Sequence, residues 1–409
     1  MSSIDTLGER QAPVRRTLLC AIGLRGIPDV PGGIESQCET LYPELIVELP
    51  GLEVVVIGRS KYCAGGIYRG VRVIPIWAPR HRVLESLVHT ALALLYARLF
   101  VHPKIVHLHG IGPGFFALFA RILGFAVIGT HHAFDYHRPK WRWFGRAYLR
   151  LGEWSMFQFS NRVAFVSDWL YRQAKSAHPT LVNKFATVHN APISLPGAPI
   201  PISDRYLFHR LGVEPRKYIL AVGRLDESKG FHDLIAAYLE VAPYDMKLVI
   251  AGEAFTKSRY VDDLRSAASP NIIFAGALSH LELDILYSAT ALFVHPSHIE
   301  GFGIVILEAL RADAPILVSD IPSSREFDLP AKHYYPVGDI DSLELVLRLP
   351  DYSSFRFGDR ARILEKFSLG EHVQKYADVL RVVAKGRFPP RCTARVIEKT
   401  LANRTMKNS

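Results

Sequence analysis

The sequence predicts an α/β protein of two facing Rossmann-like domains with a cleft between them. Three observations carry this reading. Buried apolar strands alternate with loops and helices in both halves of the chain, the rhythm of a doubly wound parallel sheet. A segment with four prolines and a glycine in eleven residues, Ala191 to Pro201, separates the halves. Finally, 409 residues exceed what one ordinary hydrophobic core holds. The boundaries that follow are a first domain at 1–193, a linker at 194–205, a second domain at 206–370, and 371–409. The last piece reads as a helix able to cross back to the first domain, followed by a basic tail.

Hydrophobic content of 49% and charged content of 22% describe a globular chain. With 49 Lys plus Arg against 39 Asp plus Glu, the formal charge is +10. That balance suits nucleic acid, acidic lipid or a phosphorylated substrate. No nucleic-acid module accompanies the charge, so nucleic acid is not an expected partner. Cys20, Cys38, Cys63 and Cys392 are scattered without a Cys-x-x-Cys pair, which argues against a zinc ribbon or disulfide framework and for a reducing cytoplasm. The first apolar run, Thr17 to Ile22, is too short for a signal-peptide core. No uninterrupted span of about 20 uncharged apolar residues appears.

The first domain opens with a buried strand at Thr17–Gly23. A Gly/Pro-rich loop, Leu24 to Glu35, and a helix from Ser36 to Leu49 follow. This loop lacks Gly-x-Gly-x-x-Gly spacing, so a plain dinucleotide site is disfavoured. Strands follow at Glu53–Ile57 and Val71–Ile76, then a strongly apolar helix at Val83–Phe100. Two strands, Ile105–His109 and Ala126–His132, end in histidines and bring polar groups to one sheet edge. Adjacent strand residues point to opposite faces, so His131 and His132 do not share a metal. His132 reads as a substrate contact or a structural hydrogen-bonding residue. Between Arg138 and Asn161, Arg138, Arg142, Arg146 and Arg150 recur every four residues beside Trp141, Phe144, Tyr148 and Leu151. This helix reads either as a binder of an anionic membrane surface or as a core helix with a solvated basic edge. A strand at Arg162–Ser167, a helix capped by Asp168, and a strand at Ala186–His189 complete the half.

The second half repeats the rhythm. Tyr218–Val222 is a strand, Gly223 to Gly230 a loop, and Phe231–Val241 a helix. Strands are expected at Lys247–Ala251, Asn271–Phe274, Ala291–Val294 and Pro315–Val318, with helices at Leu281–Ser288 and Gly370–Lys385. Arg224 and Lys229 share the first of these loops. Arg can bind two oxygens at once and Lys acts as a movable point charge, so together they make a diphosphate clamp or, alternatively, surface ion pairs. After the strand at Ala291 comes Glu300-Gly301-Phe302-Gly303-Ile304, then an apolar helix containing Glu308. Glycines permit close backbone approach, and free N–H groups at a helix start attract phosphate. Carboxylates would repel phosphate, so Glu300 and Glu308 suit sugar or ribose hydroxyls.

Taken together, Val222-Gly223-Arg224-Leu225, Lys229-Gly230 and Glu300-Gly301-Phe302-Gly303-Ile304-x-x-Leu307-Glu308-Ala309 resemble glycosyltransferase family 4, which is retaining and has the GT-B fold. The resemblance implies that Arg224 and Lys229 hold a donor diphosphate and that Glu308 binds ribose. It places Glu300 and His132 beside the transferred sugar, with the backbone of Gly301, Phe302, Gly303 and Ile304 on sugar and phosphate. Gly32 and Gly33 would form the loop that closes over the diphosphate. Arg25-Gly26-Ile27-Pro28, Gly32-Gly33-Ile34-Glu35 and His132-x-x-Asp135-x-x-Arg138-x-Lys140-Trp141 are similar to a bacterial subgroup including rhamnosyltransferases. That subgroup builds exopolysaccharide or O-antigen units on polyprenyl diphosphate carriers.

The implied activity is retaining transfer of a sugar from a nucleotide-diphosphate sugar to a saccharide or lipid-linked saccharide. The first domain would hold the acceptor and the second the nucleotide sugar. The implied location is cytoplasmic, peripheral on the inner membrane. No cofactor or metal is expected, since Arg224 and Lys229 supply the charge; Asp339-Ile340-Asp341 has donor-metal spacing but lies outside the cleft loops. A sugar-nucleotide epimerase, a phosphorylase and an inactive membrane-associated scaffold are the competing readings. The chain departs from the family pattern at Ala133, at Arg311 to Pro315, and at Ile321 to Glu326, where the family carries glycines.

Overall fold

The computed structural model describes residues 16–81, 84–138, 141–192, 205–241, 245–254, 258–267 and 269–385. The expected linker lies outside the described residues except for Arg205, as does the basic tail beyond Lys385. The first domain holds β1 (Thr17–Ile22), β2 (Leu52–Arg59), β3 (Gly66–Tyr68), β4 (Val71–Ile76), β5 (Ile105–His109), β6 (Ala126–His131), β7 (Arg162–Phe165) and β8 (Phe185–Thr187). They form one sheet in the order β3-β4-β2-β1-β5-β6-β7-β8. Every pairing is parallel except β3 with β4. The second domain holds β9 (Tyr218–Val222), β10 (Lys247–Ala251), β11 (Ile272–Gly276), β12 (Leu292–His295), β13 (Ile316–Ser319) and β14 (Tyr334–Tyr335). These form a parallel sheet in the order β11-β10-β9-β12-β13-β14.

Strands covered on both faces are mostly apolar: β9 is so throughout, while β1, β5 and β12 depart from it only at the buried Thr17, His107, His109 and His295. Strand order reverses beside β1 and beside β9. The crevice at such a switch point is where open α/β sheets bind ligands. The loop after β1 carries Gly32 and Gly33, and the loop after β9 carries Arg224 and Lys229. The short strands β3 and β14 have no sequence signal, because two or three residues do not establish a period.

Three devices seat one domain on the other. The helix Leu369–Val383 returns to the first domain and buries Val373, Tyr376 and Leu380 against Leu19, Cys38 and Tyr42. Its Tyr376 hydroxyl lies 2.9 Å from Thr130 Oγ1 of β6, and Arg381 donates to Glu48 at 3.0 Å. Second, Glu326 of the second domain accepts from the backbone N–H groups of Asp168 (3.1 Å) and Trp169 (2.7 Å), the first turn of the helix Asp168–Ala177. A carboxylate there meets both orphan donors and the positive helix end. The residue that caps this helix is Ser167, whose hydroxyl accepts from Leu170 at 3.3 Å; the expected cap, Asp168, is the first helical residue and faces His189 at 3.3 Å. Third, His189 reaches toward Glu326 at 3.6 Å, so both domains meet around one imidazole. Burial lowers the His189 pKa, but the flanking carboxylates overcome it and hold the value above the usual range.

Glu326 is nearly inaccessible, so replacing it by Ala strands two backbone donors at the interface. Glu326→Ala should destabilise the protein by about 1–3 kcal/mol, read as a lowered melting temperature by calorimetry, while Glu326→Gln should recover part of the loss.

Candidate active site

The second-domain half of the site is built on two loops tied together. Asp226 Oδ1 accepts from Ser228 N (3.2 Å) and Ser228 Oγ (2.6 Å), which shapes the turn that presents Lys229. The N–H groups of His298 and Ile299 donate to Ser228 O at 2.9 and 3.2 Å. The side chains close the same link: Lys229 Nζ donates to Glu300 Oε2 at 2.7 Å, with both side chains largely shielded from water. Burial depresses the Lys229 pKa against the pull of Glu300, and the Arg224 and Arg138 guanidiniums depress it further. Burial works to raise Glu300, yet Lys229 first, then His295 and Arg138, hold it below the ordinary carboxylate range. Arg224 lies beside them, its Nε 4.0 Å from Asp226.

The helix Ile304–Arg311 starts at Gly303, whose φ is +90°, and has no side-chain cap. Its first-turn N–H groups therefore point at the cleft as an anion site. Phe302 is buried against Phe327 and Phe367, each 5.3 Å between ring centres, so only its backbone can meet a ligand. Glu308, just past one turn in, is buried and accepts from the Tyr287 hydroxyl at 3.1 Å. Burial raises its pKa to about 7, and nearby Asp284 adds to the rise while Tyr287 opposes it. Asp339 of the sequence's Asp-x-Asp caps the helix Ile340–Leu347 by accepting from Ser342 N at 3.0 Å.

From the first domain, His132 follows β6 and rests on a buried polar chain. His132 Nε2 lies 3.3 Å from His109 Nδ1, His109 Nε2 lies 2.5 Å from the Tyr42 hydroxyl, and that hydroxyl lies 3.0 Å from His107. Burial lowers the His132 pKa to about 3, so the imidazole faces the cleft neutral. The backbone of His132 touches the second domain: a Cβ on Gly301 would lie 1.8 Å from His132 O. Gly32 has φ +146°, and a Cβ there would meet Glu35 Oε2 at 2.1 Å. Glu35 in turn accepts from Arg25 N at 3.0 Å, which locks the loop. A Cβ on Gly33 would lie 3.9 Å from Ile304, so this loop faces the helix start.

The structure thus brings His132, Gly33, Lys229, Glu300, Gly301 and Ile304 to one cleft, with Arg224 beside Lys229. Glu308 lies behind them, on the helix that Ile304 begins. It also corrects one expectation. Arg138 does not extend the arginine ridge, because the helix begins at Trp143. Arg138 instead pairs with Asp135 at 2.8 Å, is largely shielded from water, and feels the charges of Asp226 and Glu300 across the cleft. Spacing alone assigns Arg138 to the ridge; a proline next in the sequence is the signal against a helix through Arg138. A cavity of about 570 Å³ opens beside Glu300, lined by Phe134, Tyr136 and Trp169 of the first domain and Ile321 and Ser323 of the second. Its size and mixed lining suit a small polar ligand with apolar faces.

Two parallel α/β domains whose switch-point loops oppose each other, clasped by a returning C-terminal helix, are the architecture of a GT-B glycosyltransferase. Residues 31–191 match the family model Glycosyltransferase Family 4, and residues 206–342 match Glycosyl transferases group 1. The chain therefore carries a family 4 domain followed by a group 1 domain. The solved structure of sucrose-phosphate synthase from Thermosynechococcus elongatus superposes with TM-score 0.72 at 18% identity, covering 90% of this chain and 100% of that one. HepE from Anabaena, solved with UDP-glucose, gives TM-score 0.68 at 18% identity over 89% of this chain and 99% of that one. Among sequence relatives, glycogen synthase of Mycobacterium tuberculosis is 31% identical over 184 residues, 41% of this chain and 43% of the relative. The O-antigen chain mannosyltransferase RfbU of Salmonella typhimurium is 34% identical over 116 residues, 28% of this chain and 32% of the relative. These alignments span less than half of either relative.

Two outcomes follow from the geometry. Hydroxyl donors stabilise the Glu308 carboxylate, so binding them should lower its pKa from about 7 and release a proton. Nucleotide-sugar affinity by calorimetry should then fall as pH drops below about 7, and Glu308→Gln should flatten that dependence. Gly301→Ala should push the domains apart at His132 and lower turnover by on the order of 100-fold, with each domain still folded by circular dichroism.

Proposed function

We propose that this chain is a retaining glycosyltransferase that moves a sugar from a nucleotide-diphosphate sugar to a hydroxyl of a saccharide acceptor. We further propose that the acceptor is carried on a polyprenyl diphosphate at the cytoplasmic face of a bacterial membrane, in exopolysaccharide or lipopolysaccharide synthesis. One observation carries the reading. Lys229 pairs with Glu300 shortly before the uncapped start of the Ile304–Arg311 helix, and Arg224 lies beside Lys229, with neutral His132 and water-shielded Arg138 on the first-domain side. Few ligands other than a phosphorylated sugar need several cations, free backbone donors and two carboxylates within one cleft.

The chemistry divides among these groups. Arg224, Lys229, Arg138 and the helix start stabilise the negative charge that grows on the departing diphosphate, the largest catalytic contribution available here. No metal is needed for that neutralisation. A diphosphate competes with Glu300 for Lys229, which frees Glu300 for sugar hydroxyls. The bond from the sugar's anomeric carbon to the diphosphate oxygen breaks as the acceptor oxygen bonds on the same face. The acceptor proton passes to the departing phosphate oxygen. Glu300 as a covalent nucleophile is the disfavoured alternative, because its carboxylate is assigned to the sugar hydroxyls. Domain closure keeps water from hydrolysing the donor. The aromatic cavity beside Glu300 supports a saccharide on the acceptor side.

Thermal-shift measurement with UDP, GDP and dTDP sugars tests the donor site. At least one should raise the melting temperature, and Arg224→Ala with Lys229→Ala should abolish that rise and cut transfer on the order of 1,000-fold. Donor consumption without acceptor would point to an epimerase, and a requirement for free phosphate to a phosphorylase. Unchanged polysaccharide synthesis in the double variant would establish the scaffold reading instead.

A further inference from the structure

Three helices cover one face of the first-domain sheet, and each turns apolar side chains outward. The helix Leu84–Tyr96 continues through a wider last turn, Ala97–Val101. Its inner side buries Ala93, Leu94 and Ala97 in one core cluster with Ala117 and Ala120 of the helix Ala117–Ile122 and with Cys20, Val55 and Val127 of the sheet. The helix Trp143–Phe159 joins the same face. Its Met156 packs where a Cβ on Gly129 would sit, two residues from Val127 on β6 and so on the same side. Gly152 lies against the Ile111 carbonyl, just before the Ala117–Ile122 helix. The outer sides of all three helices therefore look away from the sheet together.

Those outer sides are unlike a solvated surface. Leu84, Leu92, Leu95 and Leu99 follow one helical stripe and are 45%, 36%, 42% and 63% exposed. Trp143, Leu151 and Trp154 follow an equivalent stripe on the third helix, at 65%, 48% and 47%, and Ile122 between them is 72% exposed. A helix apolar on both sides is normally buried on both. Arginines punctuate the stripes: Arg98, Arg121, Arg142, Arg146 and Arg150 are all exposed. Arg121 donates to Phe125 O and Asn161 Oδ1, both at 3.0 Å, and Arg150 lies 5.4 Å over the Tyr136 ring, but none of the five pairs with a carboxylate among the described residues. The three helices contain only two carboxylates, and both are engaged elsewhere. Glu85 pairs with Arg59 at 3.0 Å, and Glu153 accepts from His131 at 2.7 Å and Tyr136 at 3.2 Å.

We propose that this three-helix face docks on an anionic lipid bilayer, lying in its interface without crossing it. The charge pattern selects the occupant. Exposed arginines that pair with no carboxylate among the described residues complement acidic headgroups, and leucines with interfacial tryptophans enter the acyl boundary. The inner half of the Leu84–Val101 helix is committed to the sheet, so the helix lies on the membrane although its length and composition would allow a span. The proposal deepens the lipid-linked acceptor reading and rests on it for its purpose. Glu153 lines the cleft cavity while its neighbour Trp154 faces outward, so docking sets the cavity beside the headgroups where such an acceptor is anchored.

The test is co-sedimentation of the full chain with vesicles of phosphatidylcholine, with and without phosphatidylglycerol. The wild type should pellet only with phosphatidylglycerol, and less at higher salt. The Arg142→Gln, Arg146→Gln, Arg150→Gln variant should partition about 100-fold more weakly. Leu95→Gln with Leu99→Gln should also fall by at least about tenfold, while its melting temperature holds. Unchanged pelleting of both variants overturns the proposal. So does a wild-type dimer, by light scattering, that Leu95→Gln with Leu99→Gln makes monomeric, since the face would then be a protein interface. Transfer to a water-soluble saccharide is read separately; its failure in the wild type counts against the reaction and leaves vesicle binding standing.

Discussion

A lysine held away from water needs a partner, and here that partner is Glu300. The pairing does more than neutralise Lys229. It ties the loop after β9 to the glycine loop after β12, in parallel with the backbone bonds from His298 and Ile299 to Ser228. Two charges in a low-dielectric cleft attract strongly, but each has lost hydration, so the pair is poised between mutual attraction and a better ligand. A phosphate offers Lys229 more negative charge, and a sugar offers Glu300 hydroxyl donors. Arg224 and Arg138 bias the exchange in the same direction, because each cation in the cleft lowers the free energy of an anion there.

The rest of the fold serves to hold this pair opposite His132. The returning helix Leu369–Val383 packs on the first domain, and Glu326 grips the start of the Asp168–Ala177 helix, so the two sheets meet at a defined separation. Close approach then becomes possible where side chains are missing. Gly301 lies against the His132 carbonyl, and Gly33 faces Ile304. The His132 ring is aimed from below by His109, Tyr42 and His107, buried groups whose hydrogen bonds satisfy one another. Such a chain holds the imidazole fixed while burial keeps it neutral, which suits a hydrogen-bonding role beside a sugar.

Much of this is legible in the chain. Mostly apolar runs at β1, β9 and β12 announce parallel strands, and the glycine loops that follow announce ligand contact. Arg224, Lys229, Glu300 and Glu308 stand out because charged residues beside glycines, next to buried strands, have few structural uses. Arg138 is misread because periodicity treats a four-residue spacing as a helix whether or not proline intervenes. Glu326 is not legible as a residue of the domain interface, since its partners lie 158 and 157 residues away. The apolar stripe at Leu92 to Leu99 hides in a helix that reads as core throughout; composition does not say which side a sheet covers.

By itself, then, the sequence determined the two α/β halves, their switch-point loops and the chemical types gathered in them. These follow from local patterns: apolar period, glycine at turns, charge beside a strand end. Tertiary structure alone decided which of those groups meet. It paired Lys229 with Glu300, sent Arg138 into the cleft, closed Gly301 on His132 and left one helical face uncovered. The reason is physical. Contact across the cleft depends on how two separately folded sheets are seated, and that seating is set by buried surfaces and polar pairs far apart in the chain.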